Sequence, residues 1–269
     1  MVGCSGSVSG PDSPASSYLV RAPHEGRTFA LVLDLGPGAF GALYRYLDPS
    51  QVDAFGFSHL HPDHCLDLCA YYIAARYSPT APWTRQPVYG PPGTADRIGR
   101  AYEVLQPDGG REDGIPISDH FHYHDWASTQ EIGPFLVRTS RVEHPVETYA
   151  IRVDEPAGAG GSLVFSGDTG PCDSLLELAR EADLLLAEAA FFDGVDNPPS
   201  VHMTGREAAE IATGAAVGAL VLTHIPPWRD RDQARAEALP HYDGPIALAM
   251  PGATWSIGDP LRTGETAEK

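Results

Sequence analysis

Hydrophobic positions fall in short runs bounded by glycine, proline, aspartate and serine, a spacing that predicts buried strands joined by loops. The runs are Thr28 to Leu35, Val52 to Ser58, Phe121 to Trp126, Phe135 to Val142, Thr148 to Val153, Ser162 to Ser166, Asp183 to Glu188, Ala219 to Thr223 and Pro245 to Ala249. Helical periodicity is rarer. It predicts helices over Cys65 to Arg76, Thr94 to Leu105 and Ser174 to Ala182, the last with Leu175, Leu176 and Leu178 as its apolar face. Thr204-Gly205-Arg206-Glu207 has the form of a capping box, so a further helix is expected from there through Ala216. Loops are expected at Gly3 to Ser17, Asp108 to Ser118, Pro156 to Gly161 and Gly194 to Ser200, with a frayed tail over Gly264 to Lys269. No stretch is long or simple enough to link two bodies. The expectation is one domain over residues 1–269.

Composition narrows the class. The chain is 42% hydrophobic, enough for a full core, and its 28 glycines and 25 prolines favour strands and loops over a helical bundle. A formal charge of −18 repels polyanions, so a large nucleic acid begins at a disadvantage as a partner, although a compact anion can bind where cations override the net field. The four cysteines (Cys4, Cys65, Cys69, Cys172) contain no CxxC pair, and no charged segment followed by an apolar one opens the chain. No apolar run approaches the ~20 residues that cross a bilayer. These features point to a soluble cytoplasmic protein with no membrane partner.

The chemistry concentrates in Ser58-His59-Leu60-His61-Pro62-Asp63-His64, which places four ligand-type side chains within six residues directly after a strand. Alternation at a strand end puts His59 and His61 on one side, and the turn at Pro62 brings Asp63 and His64 toward a second point. That spacing suits two adjacent ions. Imidazole and carboxylate donors suit Zn²⁺, with Mn²⁺ or Fe²⁺ as replacements. Three more segments place a ligand-type residue at a predicted strand end: Val142-Glu143-His144, Ser166-Gly167-Asp168-Thr169 and Leu222-Thr223-His224. Chance clustering on a solvated loop accounts for one such pair, not for coincidences on four separate strands.

These segments resemble the metallo-β-lactamase superfamily over about Gly3 to Trp255. Their order, with Val201-His202-Met203-Thr204, is similar to the ribonuclease Z-like branch. The stretches GCSGSVSGPDSPAS, SHLHPDHCLDL, SGDTGPCDSLLELAR and LTHIPPW resemble the actinobacterial enzymes described as atypical class II cyclic-nucleotide phosphodiesterases. The resemblance implies an α/β fold, a four-layer αββα sandwich, with two divalent metal ions, Zn²⁺ or Mn²⁺, along one edge. It implies that His59, His61 and His144 hold one ion, that Asp63, His64 and His224 hold the other, and that Asp168 bridges both. It also implies several residues of a first strand before the GCSGS turn, where this chain has Met1-Val2-Gly3, and relatives that commonly form homodimers.

Two such ions bring the pKa of bound water to about 7, making a nucleophile toward phosphorus or a carbonyl carbon. Asp63 is then also a candidate to orient that water and accept its proton. The resemblance implies that His202 faces the scissile phosphate, donating a proton or binding as imidazolium; the alternative is a solvated loop histidine. Glu188 either orients His202 or a ligand imidazole, or is a structural strand-end carboxylate. Asp34 is expected to accept a hydrogen bond from a ligand imidazole. The GCSGS turn either offers amides to a phosphate or is only a tight turn. His120, His122 and His124 alternate on a predicted strand and are expected to face solvent, with His124 the one nearest the pocket. Cys65 and Cys69 are expected to pack into the core, and Tyr71, Tyr72, Trp83 and Trp228 are either base-stacking platforms or plain packing.

Only 24 residues separate His144 from Asp168, the interval into which ribonuclease Z enzymes insert a tRNA-binding arm. Together with the charge, this favours a small phosphodiester, a 3′,5′-cyclic nucleotide such as cAMP, over structured nucleic acid. One departure stands out: conventional class II cyclic-nucleotide phosphodiesterases carry HxHLDHxxG, whereas this chain has Pro62 and no closing glycine. A ribonuclease Z-like endonuclease and an ester, lactone or thioester hydrolase remain the alternatives.

Overall fold

The computed structural model describes residues 1–103, 116–156 and 160–257. Two sheets face each other. The first has the order β1-β2-β3-β4-β5, from Tyr18–His24, Arg27–Leu33, Ala54–Gly56, Pro87–Gly90 and His122–Asp125. Its first pair is antiparallel and the remainder parallel. The second has the order β12-β11-β10-β9-β8-β7-β6. In chain order these are β6 Thr129–Ile132, β7 Phe135–Arg141, β8 Tyr149–Glu155, β9 Gly161–Phe165, β10 Leu184–Glu188, β11 Leu220–Thr223 and β12 Ile246–Leu248. Strands β9 to β12 are parallel, and β6 to β9 form antiparallel pairs.

Alternation along each strand sorts side chains into layers. Leu31, Leu33, Ala54, Phe165, Leu186 and Val221 point between the sheets and form the central core. Val32, Phe55 and Val88 point outward from the first sheet, onto α1 (Ala39–Leu43), α3 (Leu68–Tyr77) and α4 (Thr94–Tyr102). Val164, Leu185, Ala187 and Leu222 point outward from the second, onto α5 (Asp173–Ala179), α6 (Gly205–Gly214) and α7 (Arg231–Ala238). The result is the expected αββα sandwich. Among the described residues no helix is long and apolar enough to cross a membrane.

Several elements differ from expectation. The helix expected over Cys65 to Arg76 is two pieces, α2 (Pro62–Cys65) and α3, because the chain turns at Leu66 and Asp67, where the Asp67 backbone N–H donates to the Leu35 carbonyl at 3.0 Å instead of to the preceding helical turn. Strands β1, β4 and β6 and helices α1 and α7 have no counterpart among the predicted elements. The capping box at Thr204 is present with both of its hydrogen bonds. The loop expected at Asp108 to Ser118 lies mostly outside the described residues, as do the last two residues of the helix expected over Thr94 to Leu105 and part of the Pro156 to Gly161 loop. The tail from Gly264 lies wholly outside them.

Candidate metal centre

The expected ligands meet along one edge of the sandwich because the strands that carry them end there. Asp34 follows β2, His59 follows β3, His144 follows β7, Asp168 follows β9, and His224 follows β11. The backbone N–H of Tyr149 donates to the Ser58 carbonyl at 3.0 Å, tying the two sheets together at this edge. Two ligand-bearing turns use left-handed backbone, at Asp34 (φ 55°) and His224 (φ 53°), a conformation that persists only where surrounding contacts hold it. Behind His224 lies the GCSGS turn. A Cβ on Gly6 would stand 2.1 Å from the His224 carbonyl oxygen, so the turn needs glycine for close approach, and the Ser7 amide donates toward His224 Nε2 at 3.3 Å.

Asp63, His64, Asp168 and His224 form one group, buried throughout. His64 Nε2 lies 3.1 Å from His224 Nε2, 3.3 Å from Asp63 Oδ2 and 3.3 Å from Asp168 Oδ1. His224 Nε2 lies 3.2 Å from Asp63 Oδ2 and 3.4 Å from Asp168 Oδ1. A tetrahedral ion with donors at about 2.0–2.1 Å separates its ligand atoms by roughly 3.3 Å. These five separations, 3.1 to 3.4 Å, match the spacing that such an ion requires. Asp168 Oδ1 is buried without a hydrogen-bond partner, a costly state that a cation would relieve.

His59, His61 and His144 form a second group, with His61 Nδ1 3.0 Å from His59 Nε2 and 3.2 Å from His144 Nε2. Only His59 of the three is fully buried. Asp168 reaches toward this group as well, its Oδ2 lying 3.8 Å from His59 Nε2. One carboxylate thus presents one oxygen to each group.

Charge in the site is poised for cations. Burial lowers the pKa of His59, His61 and His144, so their imidazoles are neutral and keep a lone pair to offer. Burial works against the charges of Asp63 and Asp168, yet His64 and His224 beside them hold both carboxyls well below the usual range. Burial also opposes a proton on His64, but Asp168 and Asp34 pull its pKa well above the ordinary value. That pull for positive charge is one a divalent ion would answer in the proton's place.

Neighbouring groups fix the imidazoles, as Asp34 was expected to do. Asp34 Oδ2 pairs with His64 Nδ1 at 2.7 Å, while Asp34 also accepts from the Ser58 amide and hydroxyl at 2.7 and 2.8 Å. The Val201 carbonyl accepts from His144 Nδ1 at 2.8 Å. A backbone carbonyl has no signature in sequence, and this contact went unread. Glu188 is buried at the end of β10, where Oε1 accepts from the Thr169 amide and from His202 Nδ1, both at 2.8 Å. Glu188, His202 and His224 form a third group of close titratable atoms, and the His202 ring centre lies 5.5 Å from that of His144. Burial opposes the charge on His202, but Glu188 and then Asp168 raise its pKa to about 9.

Other candidates go elsewhere. Tyr71, Tyr72 and Trp83 are buried in the outer core under the first sheet and cannot stack on a ligand. Trp228 is 66% exposed. His122 and His124 are exposed as expected, but His120 precedes β5 and packs edge-on against Tyr72. His124 stacks on Tyr89 at 5.0 Å and belongs to no metal-type group among the described residues. Cys65 is buried and Cys69 partly so.

Comparison with known proteins agrees with this geometry. Residues 30–225 match the family described as Beta-lactamase superfamily domain. An uncharacterized protein of Mycobacterium leprae is 46% identical, over 97% of this chain and 89% of its own length. The crystal structure of the metallo-beta-lactamase fold protein YhfI from Bacillus subtilis superposes with a TM-score of 0.79 at 26% identity, covering 95% of this chain and 97% of that one. A ribonuclease Z of Mycobacterium bovis is 29% identical over 92% of this chain and 94% of its own.

Proposed function

This chain belongs to the metallo-β-lactamase superfamily and is a metallo-hydrolase, and from that premise we propose that it is a two-metal phosphodiesterase acting on a small phosphodiester, a 3′,5′-cyclic nucleotide such as cAMP. The carrying observation is Asp168, whose two oxygens face two separate donor groups while His202, paired to Glu188, stands beside them. In this reading His59, His61 and His144 would hold one ion and Asp63, His64 and His224 the other, with Asp168 available to both. Zn²⁺ suits the donors, and Mn²⁺ is the replacement. When bound, such a pair acidifies water to a pKa of about 7 and offsets charge developing on the phosphate.

The chain's own residues do the rest. Asp63 directs one oxygen at the imidazoles of His64 and His224, which leaves its other oxygen to orient the attacking water and take its proton. His202 commits Nδ1 to Glu188, so Nε2 is the nitrogen that can hand a proton to the leaving oxygen. Against burial, the Glu188 carboxylate on Nδ1 raises the pKa of His202 and so favours the protonated form.

Substrate size follows from what surrounds the site. The interval between His144 and Asp168 is taken up by β8 and β9, in a chain of formal charge −18, which supports a compact anion over a folded RNA. The similarity to a ribonuclease Z favours the second reading, an endonuclease of that type. One panel separates them: 3′,5′-cAMP, short RNA, a tRNA precursor and a lactone, each with Zn²⁺ or Mn²⁺. Hydrolysis of cAMP that EDTA abolishes is expected. Cleavage of the tRNA precursor alone would select the second reading, and turnover of the lactone alone would overturn phosphodiester chemistry.

A further inference from the structure

Glu188, His202 and His224 lie on three segments that past their strands are joined by backbone bonds from the Ala189 N–H to the Thr223 carbonyl and from the Phe191 N–H to the Met203 carbonyl, both at 3.0 Å, and a single buried ion pair touches all three. Arg229, five residues past His224, donates Nη1 to the carbonyl of Ala189, the residue after Glu188, and Nη2 to Glu237 Oε2 at 2.5 Å. Glu237, on α7, accepts the backbone N–H of Asp193 on Oε1 at 3.2 Å and that of Gly205 on Oε2 at 3.3 Å. These two amides bracket the loop that carries His202. The Phe192 ring lies 4.7 Å from the guanidinium carbon. The Arg229 side chain has no exposure and that of Glu237 has 10%. Helix α7 has little freedom to shift, because a Cβ on Gly205 would stand 2.0 Å from the Ala234 carbonyl oxygen.

A buried ion pair adds little stability over apolar residues of the same volume. Here its hydrogen bonds go to the backbone of the segments around one side-chain cluster, so what it fixes is their relative position. We infer that Arg229 and Glu237 are positioning residues that hold the His202–Glu188 pair in register with His224. Its kinetic consequence rests on the phosphodiesterase reading; its structural consequence does not.

The test therefore has two arms, applied to Glu237→Gln and to Arg229→Lys, which keeps the charge but loses the planar fork. Arg152→Ala, which breaks contacts with Asp154 and the carbonyls of Leu178 and Arg180, serves as a destabilised control away from the cluster. In chelator-stripped protein, the downfield proton signal of His202 Nδ1–H is assigned by its loss in His202→Asn. It is expected to persist in wild type and Arg152→Ala and to vanish or shift in the two clamp variants while their melting stays cooperative. An unshifted signal, or failure of both clamp variants to fold, would overturn the inference. In the Zn²⁺-loaded enzyme, kcat for a nucleotide ester with an alkoxide leaving group should fall by about 10²-fold, with KM little changed. The p-nitrophenyl ester of the same nucleotide, whose leaving group needs no proton, should lose far less. Equal losses on both esters would also overturn it. If wild type hydrolyses neither ester, the proposed function fails and the proton signal alone decides the clamp.

Discussion

The two halves of the centre share one carboxylate but are built differently. The half of Asp63, His64 and His224 is sealed, carries a carboxylate of its own, and is backed by Asp34, itself tied down by Ser58. The half of His59, His61 and His144 has only neutral imidazoles besides the shared Asp168, two of them partly exposed, and its supports are uncharged, the Val201 carbonyl on His144 and the Ser58 hydroxyl 3.1 Å from His59 Nδ1. Donor charge and burial both predict a tighter grip in the sealed half and faster exchange in the open one. His202, the proposed proton donor, stands between the halves, its ring centre 5.5 Å from that of His144 and 5.6 Å from that of His224.

Removing the shared element should erase the difference. Asp168→Ala is expected to weaken both halves and to reduce kcat by about 10³-fold or more, read from turnover at saturating Zn²⁺ together with metal analysis. Wild-type activity in that variant would refute the bridging role. His202→Ala should separate chemistry from binding: a loss of about 10²- to 10⁴-fold in kcat with metal content unchanged in both halves. A fall in bound metal would make His202 a ligand instead.

Asp34→Asn should act most on the sealed half, lowering its affinity by about 10- to 100-fold in a chelator competition, while the open half, which Asp34 reaches only through the Ser58 hydroxyl, loses less. Equal weakening of both would show that the halves are not independently supported. The smallest effect is on pH dependence. His202 is raised above its ordinary value of 6.5 to about 9, so in metal-free protein the stability it contributes is whole below about pH 6.5 and fades as pH rises through about 9. Glu188→Gln should flatten that decline in urea melts across this range, and an unchanged decline would place its origin elsewhere.

Within both halves the residues were unequally legible in sequence. His59 to His64 stand together and announce themselves, whereas His144, Asp168 and His224 were found because each ends a run of buried strand residues. What supports them was harder to see. Asp34 was readable as a carboxylate beside a turn, but Val201 acts through its carbonyl, and Arg229 and Glu237 meet because the turn after Pro227 lays the arginine back along α7, which the sequence reading lacked. Helix α7 itself went unread because it buries only Ala234 and Ala238, too little to show an apolar period. Strand β6, Thr-Gln-Glu-Ile, is a polar edge strand with one buried residue, and β4 opens on a proline, so neither carried a strand signal. The central strands were legible because continuous apolar runs such as Leu31, Val32, Leu33 mark strands buried on both faces.

The most direct test of two unequal ion sites sharing Asp168 is a calorimetric Zn²⁺ titration of chelator-stripped protein, with bound metal counted by elemental analysis. Two ions per chain are expected, filling in separate tight and weaker phases. Fewer than about one ion per chain would contradict the account.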